Sequence, residues 1–312
     1  MSSTSTVSEV KKRDCEEIKK EIESNPIQFI GNDGKPMQLY QYKGHNFLPL
    51  EIGSSALSKL HTVKIRPDDI LLYTHPGAGS HWMFEVVNMI LRGSSERINI
   101  IKESLFIDWA PIENLESAES PRVLNTHLSI EFLPPQLLKD HKIIYVNRNP
   151  KAMVVSFYRH VSRSKAFEYA GDFSSFFNLY IKGEIPYDSY FKHVQEFYAL
   201  IKDNPNALII TYEEMKKDLY KVVLHIAKFL DKTISDQLAK SIVDMCSFDK
   251  MKSEKTLVSA SCVPENLFKE GGTFYHSGKV DTWKKWFTVE QSERIDAKIQ
   301  SEFIDKGIIF NF

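Results

Sequence analysis

Short apolar runs alternate with amphipathic stretches from Asp69 almost to the end of the chain. The apolar runs predict β-strands at Ile70–Thr74, Arg122–Asn125, Lys142–Asn147 and Ala207–Thr211. The amphipathic stretches repeat apolar residues at helical spacing and predict helices near 82–92, 151–163, 172–182, 187–203, 213–230, 234–246 and 289–304. Strands that alternate with helices indicate an α/β fold of three layers, a parallel sheet flanked by helices.

The N-terminal part of the chain has a different pattern. Its first seven residues are mostly serine and threonine and are predicted to be disordered, and a charged helix follows around 8–24. The stretch "FIGNDGKPMQLYQYKGHNFLP" predicts a β-hairpin, with Asp33 and Gly34 in the turn. Because no repeat, low-complexity block or long linker interrupts the rest, we expect a partly disordered N-terminal extension at 1–25 and a single domain at 26–312.

Composition and charge narrow the class of protein. The chain of 312 residues is 42% hydrophobic and carries a formal net charge of −1, so it lacks the basic excess typical of nucleic-acid binders. Cys15, Cys246 and Cys262 lie far apart without CxxC spacing, which predicts neither a disulfide framework nor a zinc site. The polar start "MSSTSTVSEVKKRD" lacks the apolar core of a signal peptide, and no run of 18 apolar residues occurs. We therefore expect a cytoplasmic protein that binds no membrane, nucleic acid or metal.

Three segments with candidate chemistry follow predicted strands. They are "HPGAGSHW" at 75–82, "NTHLS" at 125–129 and "NRNPK" at 147–151. Taken singly, each has a structural explanation: a glycine turn, a core histidine and a surface arginine. In parallel α/β sheets, however, the loops at the carboxyl ends of the strands form the ligand site. Their shared placement at strand ends favours a common site. The segment 75–82 in addition joins a predicted strand to a predicted helix through a glycine loop, an arrangement that commonly binds an anion.

With these segments, the sequence resembles the cytosolic sulfotransferases, which move a sulfuryl group from 3′-phosphoadenosine 5′-phosphosulfate (PAPS) to a hydroxyl or amine. "HPGAGSHW" corresponds to the family loop YPKSGTxW, and "NTHL" corresponds to KTHL. "NRNPKAMVVS" carries the arginine and serine that bind the 3′-phosphate in the family, and "ITYEEMKKD", "YDSYFKHVQEFY", "SFDKMK" and "FYHSGKVDTWKKWFT" have counterparts as well. The likeness runs from about residue 40 to the C-terminus and implies the P-loop-like sulfotransferase fold.

The resemblance also implies roles for individual residues. His127 would be the catalytic base, with Asn125 beside it at the position of the family's lysine. The residues expected to bind PAPS are Gly77, Ala78, Gly79, Ser80, His81, Trp82, Arg148, Ser156, Tyr212, Cys246, Phe248, His276, Ser277 and Gly278. The side-chain chemistry agrees: an arginine fork suits phosphate, an exposed indole can stack on a purine, and a histidine can accept a hydroxyl proton.

Several positions depart from the family pattern, and most departures remove positive charge. Gly77 and Asn125 replace lysines, and His276-Ser277 replaces an Arg-Lys pair. In addition, Ala78 replaces a serine, Cys246 replaces a threonine, and Asp281-Thr282 replaces Gly-Asp. Losing one donor that faces developing charge costs on the order of 10²–10³ in rate. We therefore expect low turnover.

One alternative to a working enzyme follows from these departures. A catalytically impaired protein with the same fold would act as a binding or regulatory module. In a working enzyme, a displaced lysine such as Lys64, Lys255 or Lys279 would restore charge to the site. A P-loop nucleotide kinase is excluded because no GK[ST] follows the loop glycines and no Mg²⁺-binding pattern is evident.

The acceptor and the partners are predicted from weaker patterns. The segments 164–200 and 265–275 are rich in aromatic residues, which suit a small aromatic or apolar acceptor but can equally belong to the core. These aromatics are Phe167, Tyr169, Phe173, Phe176, Phe177, Tyr187, Tyr190, Phe274 and Tyr275. "KKWFTVEQSE" fits the KxxxTVxxxE pattern of homodimers in the resembled family, through Lys284, Thr288, Val289 and Glu293.

Overall fold

The computed structural model describes residues 15–97, 101–201, 204–254, 269 and 280–310. Its strands are β1 (Pro26–Ile30), β2 (Pro36–Tyr42), β3 (His45–Phe47), β4 (Ile70–Thr74), β5 (Val123–Thr126), β6 (Lys142–Asn147) and β7 (Ala207–Thr211). Its helices are α1 (15–23), α2 (Glu51–Lys59), α3 (Ser80–Arg92), α4 (Ile112–Ser117), α5 (Pro135–Lys139), α6 (Pro150–Arg163), α7 (Phe173–Lys182), α8 (Tyr190–Ile201), α9 (Tyr212–Lys217), α10 (Leu219–Phe229), α11 (Asp236–Met245), α12 (248–254) and α13 (Val289–Glu302).

The central sheet has four parallel strands in the order β5-β4-β6-β7. Strand β4 pairs with β5 on one side and with β6 on the other, so that Tyr73 lies opposite both Thr126 and Tyr145. All five residues of β4 are buried, as expected for an inner strand of a parallel sheet. The chain leaves β4 toward β5 and leaves β6 toward β7. The space beyond the carboxyl ends of β4 and β6 is therefore the switch point at which α/β folds bind ligands.

Helices flank this sheet in two packed groups. Helices α10 and α11 pack on α3, whereas α7 and α13 pack on α6, and α13 also contacts α8. This arrangement confirms the predicted three-layer α/β fold. The apolar faces of the helices and the strands form one continuous hydrophobic core. None of the described helices is long and apolar enough to cross a membrane.

The predicted hairpin is present and extends into a small antiparallel sheet. Strands β1 and β2 pair from Pro26–Tyr40 to Ile30–Pro36, and β3 adds to the other edge of β2. Gly34 lies in the turn with φ +76°, a backbone conformation that favours glycine. Residues 1–14, which include the start of the predicted charged helix, lie outside the described residues.

One predicted helix is in fact two. The amphipathic stretch 213–230 forms α9 and α10, separated at Asp218, whose φ of −157° and ψ of 79° are not helical. The Asp218 side chain accepts a hydrogen bond from the backbone N–H of Lys221 and thereby caps α10. The apolar periodicity continues across this break, so it does not reveal the break. Helices α2, α4 and α5 and strand β3 were not predicted as separate elements.

A buried ion pair joins the starts of β4 and β5. The Arg122 guanidinium donates from Nε to Asp69 Oδ1 at 2.7 Å, and Nη2 bonds to Oδ2 of the same carboxylate. Nη1 donates to the carbonyl oxygen of Leu115 and Nη2 to that of Lys64, both at 2.7 Å. Both side chains are fully buried. Because each of its three nitrogens donates to an acceptor, this pair fixes the relative positions of the two strands that carry the candidate site.

Candidate active site

The loop between β4 and α3 has a conformation that only glycine adopts readily. Gly77 has φ +96° and Gly79 has φ +112°. A Cβ on Gly77 would lie 3.3 Å from Ser156 Oγ, and one on Gly79 would lie 2.9 Å from the Tyr212 ring. Gly79 is also the N-cap residue of α3, with no capping side chain. The loop therefore presents unobstructed backbone at a helix N-terminus, where anions are favoured.

Arg148 lies between this loop and Tyr212. Its Nη1 donates to the Gly77 carbonyl oxygen at 3.0 Å, and its guanidinium lies 4.0 Å from the centre of the Tyr212 ring. Nε is buried with no hydrogen-bond partner among the described residues. Burial lowers the pKa of Arg148, although guanidinium groups titrate far above neutral pH and the group stays charged. A buried cation whose Nε–H has no partner in the described chain is suited to bind an anion.

His127 lies just beyond the end of β5, with one ring nitrogen already engaged. Nδ1 is 2.6 Å from the Thr74 carbonyl oxygen and 3.0 Å from Thr74 Oγ1. A carbonyl oxygen only accepts, so Nδ1 carries the hydrogen and Nε2 keeps its lone pair. Burial, and secondly the charge of Lys102, lowers the pKa of His127 well below its usual value. The neutral form, which can accept a proton, therefore dominates at neutral pH.

Asp108 forms hydrogen bonds with the His127 backbone and with the neighbouring Thr126. Its carboxylate accepts from the His127 N–H at 3.0 Å and from Thr126 Oγ1 at 2.5 Å. Burial raises the pKa of Asp108 to about 7, although both hydrogen bonds favour its charged form. Asp108 therefore fixes the position of the histidine.

Lys102 and Asn125 form a reciprocal pair beside the histidine. Lys102 Nζ donates to Asn125 Oδ1 at 2.9 Å, and Asn125 Nδ2 donates to the Lys102 carbonyl oxygen at 2.8 Å. Nζ also lies 3.8 Å from the centre of the Phe106 ring, a cation–π contact. Burial lowers the pKa of Lys102, while the nearby carboxylates of Glu103 and Asp108 oppose this effect.

His81 and Glu103 form a second pair at the start of α3. His81 Nε2 is 2.8 Å from Glu103 Oε1. Burial acts to raise the pKa of Glu103, but the contact with His81 and the charge of Lys102 hold it at about 2. The pair therefore places the Glu103 carboxylate next to the loop.

The glycine loop, Arg148, His127, Lys102, His81 and Glu103 line one cavity of about 180 Å³. Of the residues predicted to act in the site, those that line the cavity are Gly77, Gly79, Ser80, His81, Trp82, His127, Arg148, Ser156, Tyr212, Cys246 and Phe248. Two do not: Ala78 is buried beneath the loop, and Asn125 is buried behind Lys102. His276, Ser277 and Gly278 lie outside the described residues. Among the described residues, no group of three or more His, Cys, Asp or Glu could hold a metal ion.

Comparison with known proteins decides the family. A sequence model described as the sulfotransferase domain matches residues 67–307. The chain belongs to the sulfotransferase family. Sulfotransferase 1C2 of Homo sapiens is 31% identical over 275 residues, which are 84% of this chain and 92% of the relative. Sulfotransferase 1A1 of Rattus norvegicus is 33% identical over 251 residues, 77% of this chain and 86% of the relative.

Solved structures support the same assignment. Mouse sulfotransferase SULT7A1 complexed with PAP, the desulfonated product of PAPS, has a TM-score of 0.71 and 29% identity, over 85% of this chain and 94% of that chain. Retinol dehydratase in a complex with retinol and PAP has a TM-score of 0.72 at 19% identity, over 96% of both chains, and shows the fold. This member of the sulfotransferase family is a PAPS-dependent sulfotransferase that transfers sulfuryl groups.

The residues present suit the anionic cosubstrate. Arg148 Nε and Trp82 Nε1 are buried donors without hydrogen-bond partners in the described chain, and both belong to residues that line the cavity. Gly79 lets the loop backbone approach the Tyr212 ring, because a Cβ there would lie 2.9 Å from that ring. Trp82 and Tyr212 lie edge to face with ring centres 5.5 Å apart, and Lys216 Nζ lies 5.6 Å from the Trp82 ring. This cluster supplies aromatic faces for a purine next to positive charge.

Several cavity residues were missed by the sequence analysis, above all Lys102. Lys64, which was considered as a displaced cation, is an exposed surface residue and does not line the cavity. Lys255 and Lys279 lie outside the described residues. The available signal for Lys102 was its position inside the apolar stretch "INIIKESLFI", because a lysine in such a stretch is buried only when it has partners.

The aromatic residues predicted around the acceptor belong mostly to the core. Of the seven in the described chain, Phe167 and Tyr187 line the cavity. The other five, Tyr169, Phe173, Phe176, Phe177 and Tyr190, are buried in the hydrophobic core. Helical periodicity alone could not separate these two groups. Phe274 and Tyr275 lie outside the described residues.

Proposed function

We propose that this enzyme transfers the sulfuryl group of PAPS to a hydroxyl or amine of a small aromatic or apolar acceptor, with His127 as the general base. The observation that carries this proposal is the convergence of three strand-end segments in one cavity. The loop 77–82, His127 and Arg148 come from β4, β5 and β6 and face a common space. PAPS supplies the sulfuryl group; the protein positions it, removes a proton from the acceptor and neutralises charge on the leaving group.

The cosubstrate would lie along the loop and the start of α6. Arg148, with Ser156 two turns into α6, would bind the 3′-phosphate. The N–H groups of Gly79, Ser80 and His81 would bind the 5′-phosphosulfate. Tyr212, Cys246 and Phe248 line the cavity with Trp82 and would enclose the adenine. The family resemblance implies these roles, and the placement of the residues around the cavity and their chemistry support them.

The acceptor would lie against an aromatic wall around His127. The His127 ring centre is 4.9 Å from that of Phe106 and 5.5 Å from that of Tyr187, and Trp109 lies 5.5 Å from Phe106. Leu48 adds an apolar side chain to the same cavity. Flat, apolar molecules are favoured in a pocket lined in this way. An acceptor hydroxyl next to His127 Nε2 would lose its proton as it attacks sulfur.

We expect turnover to be reduced because the loop has no lysine. Gly77 carries no charge, and the neutral Asn125 stands in place of the family's second lysine. One missing donor costs on the order of 10²–10³ in rate when it faces developing charge. Arg148 and the backbone N–H groups of the loop would maintain binding.

We also propose a homodimer through the segment that contains Lys284, Thr288, Val289 and Glu293. Val289 is 76% exposed at the first position of α13, an unusual exposure for a β-branched apolar residue. Thr288 has a separate structural role as the N-cap of this helix, in a capping box with Gln291. Because the capping role alone explains a threonine at position 288, Lys284, Val289 and Glu293 are the residues of the motif that support pairing between subunits.

Titration calorimetry with adenosine 3′,5′-bisphosphate tests the proposed cofactor site. We expect micromolar binding by the wild-type protein and a loss of at least tenfold in Arg148→Ala, because charge-assisted hydrogen bonds contribute about 1.5–3 kcal/mol each. Arg294→Ala is the matched control, since Arg294 is an exposed arginine on α13. No binding at several hundred micromolar would contradict the proposal and would favour the impaired binding module instead.

A further inference from the structure

The site lacks the two lysines of the family pattern, but a buried lysine from another segment lines it. Lys102 lies in a short 3-10 turn, Lys102–Leu105, between α3 and β5. Its Nζ reaches the side chain of Asn125, the residue that replaces the second lysine. Since residues 125 and 127 are two apart at the end of one strand, the Lys102 ammonium is directed toward the same face as His127.

The contacts of Lys102 are those of a cation held in place for a ligand. Lys102 is 3% exposed and lines the cavity, yet its ammonium has no ion-pair partner within salt-bridge distance among the described residues. The Asn125 carbonyl and the Phe106 ring account for its contacts. The carboxylates of Glu103 and Asp108 act on this charge from beyond salt-bridge distance, but burial outweighs them and lowers the pKa of Lys102. An ammonium has three donors, and its direct contacts are neutral, so an anion in the cavity would compensate its charge further.

Resting on the function proposed above, we infer that Lys102 supplies the positive charge that faces the sulfuryl group during transfer. In that step the acceptor oxygen forms a bond to sulfur, and its proton moves to His127 Nε2. The bond from sulfur to the bridging oxygen breaks, and its electron pair remains on the 5′-phosphate of the product. Charge develops on the sulfuryl oxygens and the leaving oxygen, and the Lys102 ammonium stabilises it. Lys102 thus replaces in space the lysine that Asn125 has replaced in sequence.

The variant Lys102→Gln removes the positive charge of the side chain but keeps a hydrogen-bond donor at this position. The glutamine amide can still donate to Asn125 Oδ1 but carries no charge. We expect kcat to fall on the order of 10²-fold. The affinity for adenosine 3′,5′-bisphosphate should change much less, because this product lacks the sulfuryl group. The double variant Lys102→Asn with Asn125→Lys returns the lysine to the strand and should recover most of the lost rate. Lys64→Met, at an exposed lysine, is the control.

A second readout needs no activity. Removing the Lys102 charge should raise the pKa of His127, because that charge helps to hold it down. The other titratable groups that face His127 are Asp108, His75, His193 and Tyr187, and all of them remain in the variant. NMR titration of the ring, assigned with His127→Gln, should show a higher midpoint in Lys102→Gln than in wild type. In the rate profile, the loss of activity on acidification should likewise begin at a higher pH.

The outcomes distinguish this inference from the proposed function. Full kcat in Lys102→Gln, or an unchanged His127 midpoint, would overturn the role of Lys102 even if the enzyme is active. A rate that falls in Lys102→Gln but does not recover in the double variant would assign the lysine to local structure and overturn the inference. If wild type neither binds the bisphosphate nor transfers sulfuryl, the proposed function fails, and the histidine titration still tests the electrostatic coupling by itself.

Discussion

Restoring the loop lysine by Gly77→Lys should fail, and the backbone explains why. Gly77 has φ +96°, where an L residue costs about 1–2 kcal/mol. Its Cβ would lie 3.3 Å from both Ser156 Oγ and the Phe157 backbone nitrogen, so Ser156 or the loop must shift. Crowding of this kind adds about 1 kcal/mol. We therefore expect a total destabilisation of about 2–3 kcal/mol and no gain in turnover, because displacing Ser156 also disturbs the proposed phosphate site.

Urea denaturation followed by tryptophan fluorescence measures this cost, with two matched controls. Gly77→Ala introduces the strain and the crowding without a charge and should match the lysine variant in stability. Gly34→Ala introduces only the strain, since φ is +76° and nothing lies within 4 Å of the added Cβ. It should cost about 1–2 kcal/mol. The reasoning is refuted if Gly77→Lys unfolds at the wild-type urea concentration while its turnover rises.

Two further predictions concern the scaffold and the subunit contact. Arg122→Met leaves the Asp69 carboxylate buried without its partner and should lower the free energy of unfolding by about 3–5 kcal/mol in the same assay. Arg294→Met, at an exposed arginine, is the control and should have little effect. Equal stabilities of Arg122→Met and wild type would contradict this account. Val289→Asp places a charge at the proposed dimer contact and should yield monomers in light scattering, whereas a wild type that is itself monomeric at micromolar concentration would disprove the contact.

The fold could be predicted from the sequence because its determinants are local. The inner strands β4 and β6 are continuous apolar runs, and each is followed by turn residues and an amphipathic stretch. The break at Asp218 was missed because one residue both ends α9 and caps α10 while the apolar spacing continues. Short elements such as α4, with one buried side chain, have too few positions to show a period.

The candidate site could be predicted in part, for a related reason. His127 and Arg148 follow strands directly, so sequence and sheet topology place them together. Lys102 lies 23 positions before Asn125 and meets it only in the folded chain. The sequence also does not reveal the conformation of Gly77. It shows that the loop lacks a lysine, but it does not show the positive φ that would strain a lysine at this position. Contacts between distant segments therefore decide what the substitutions mean.

Single-turnover transfer from labelled PAPS tests the central claim most directly. Wild type and His127→Ala should bind adenosine 3′,5′-bisphosphate with similar affinity, since His127 is assigned to the acceptor and not to the nucleotide. With a panel of phenols and apolar alcohols, wild type should transfer label to at least one acceptor, and His127→Ala should lose on the order of 10²–10⁴ of that rate. Transfer at the wild-type rate by His127→Ala would contradict the assigned base, and tight nucleotide binding with no transfer by wild type would contradict a working sulfotransferase.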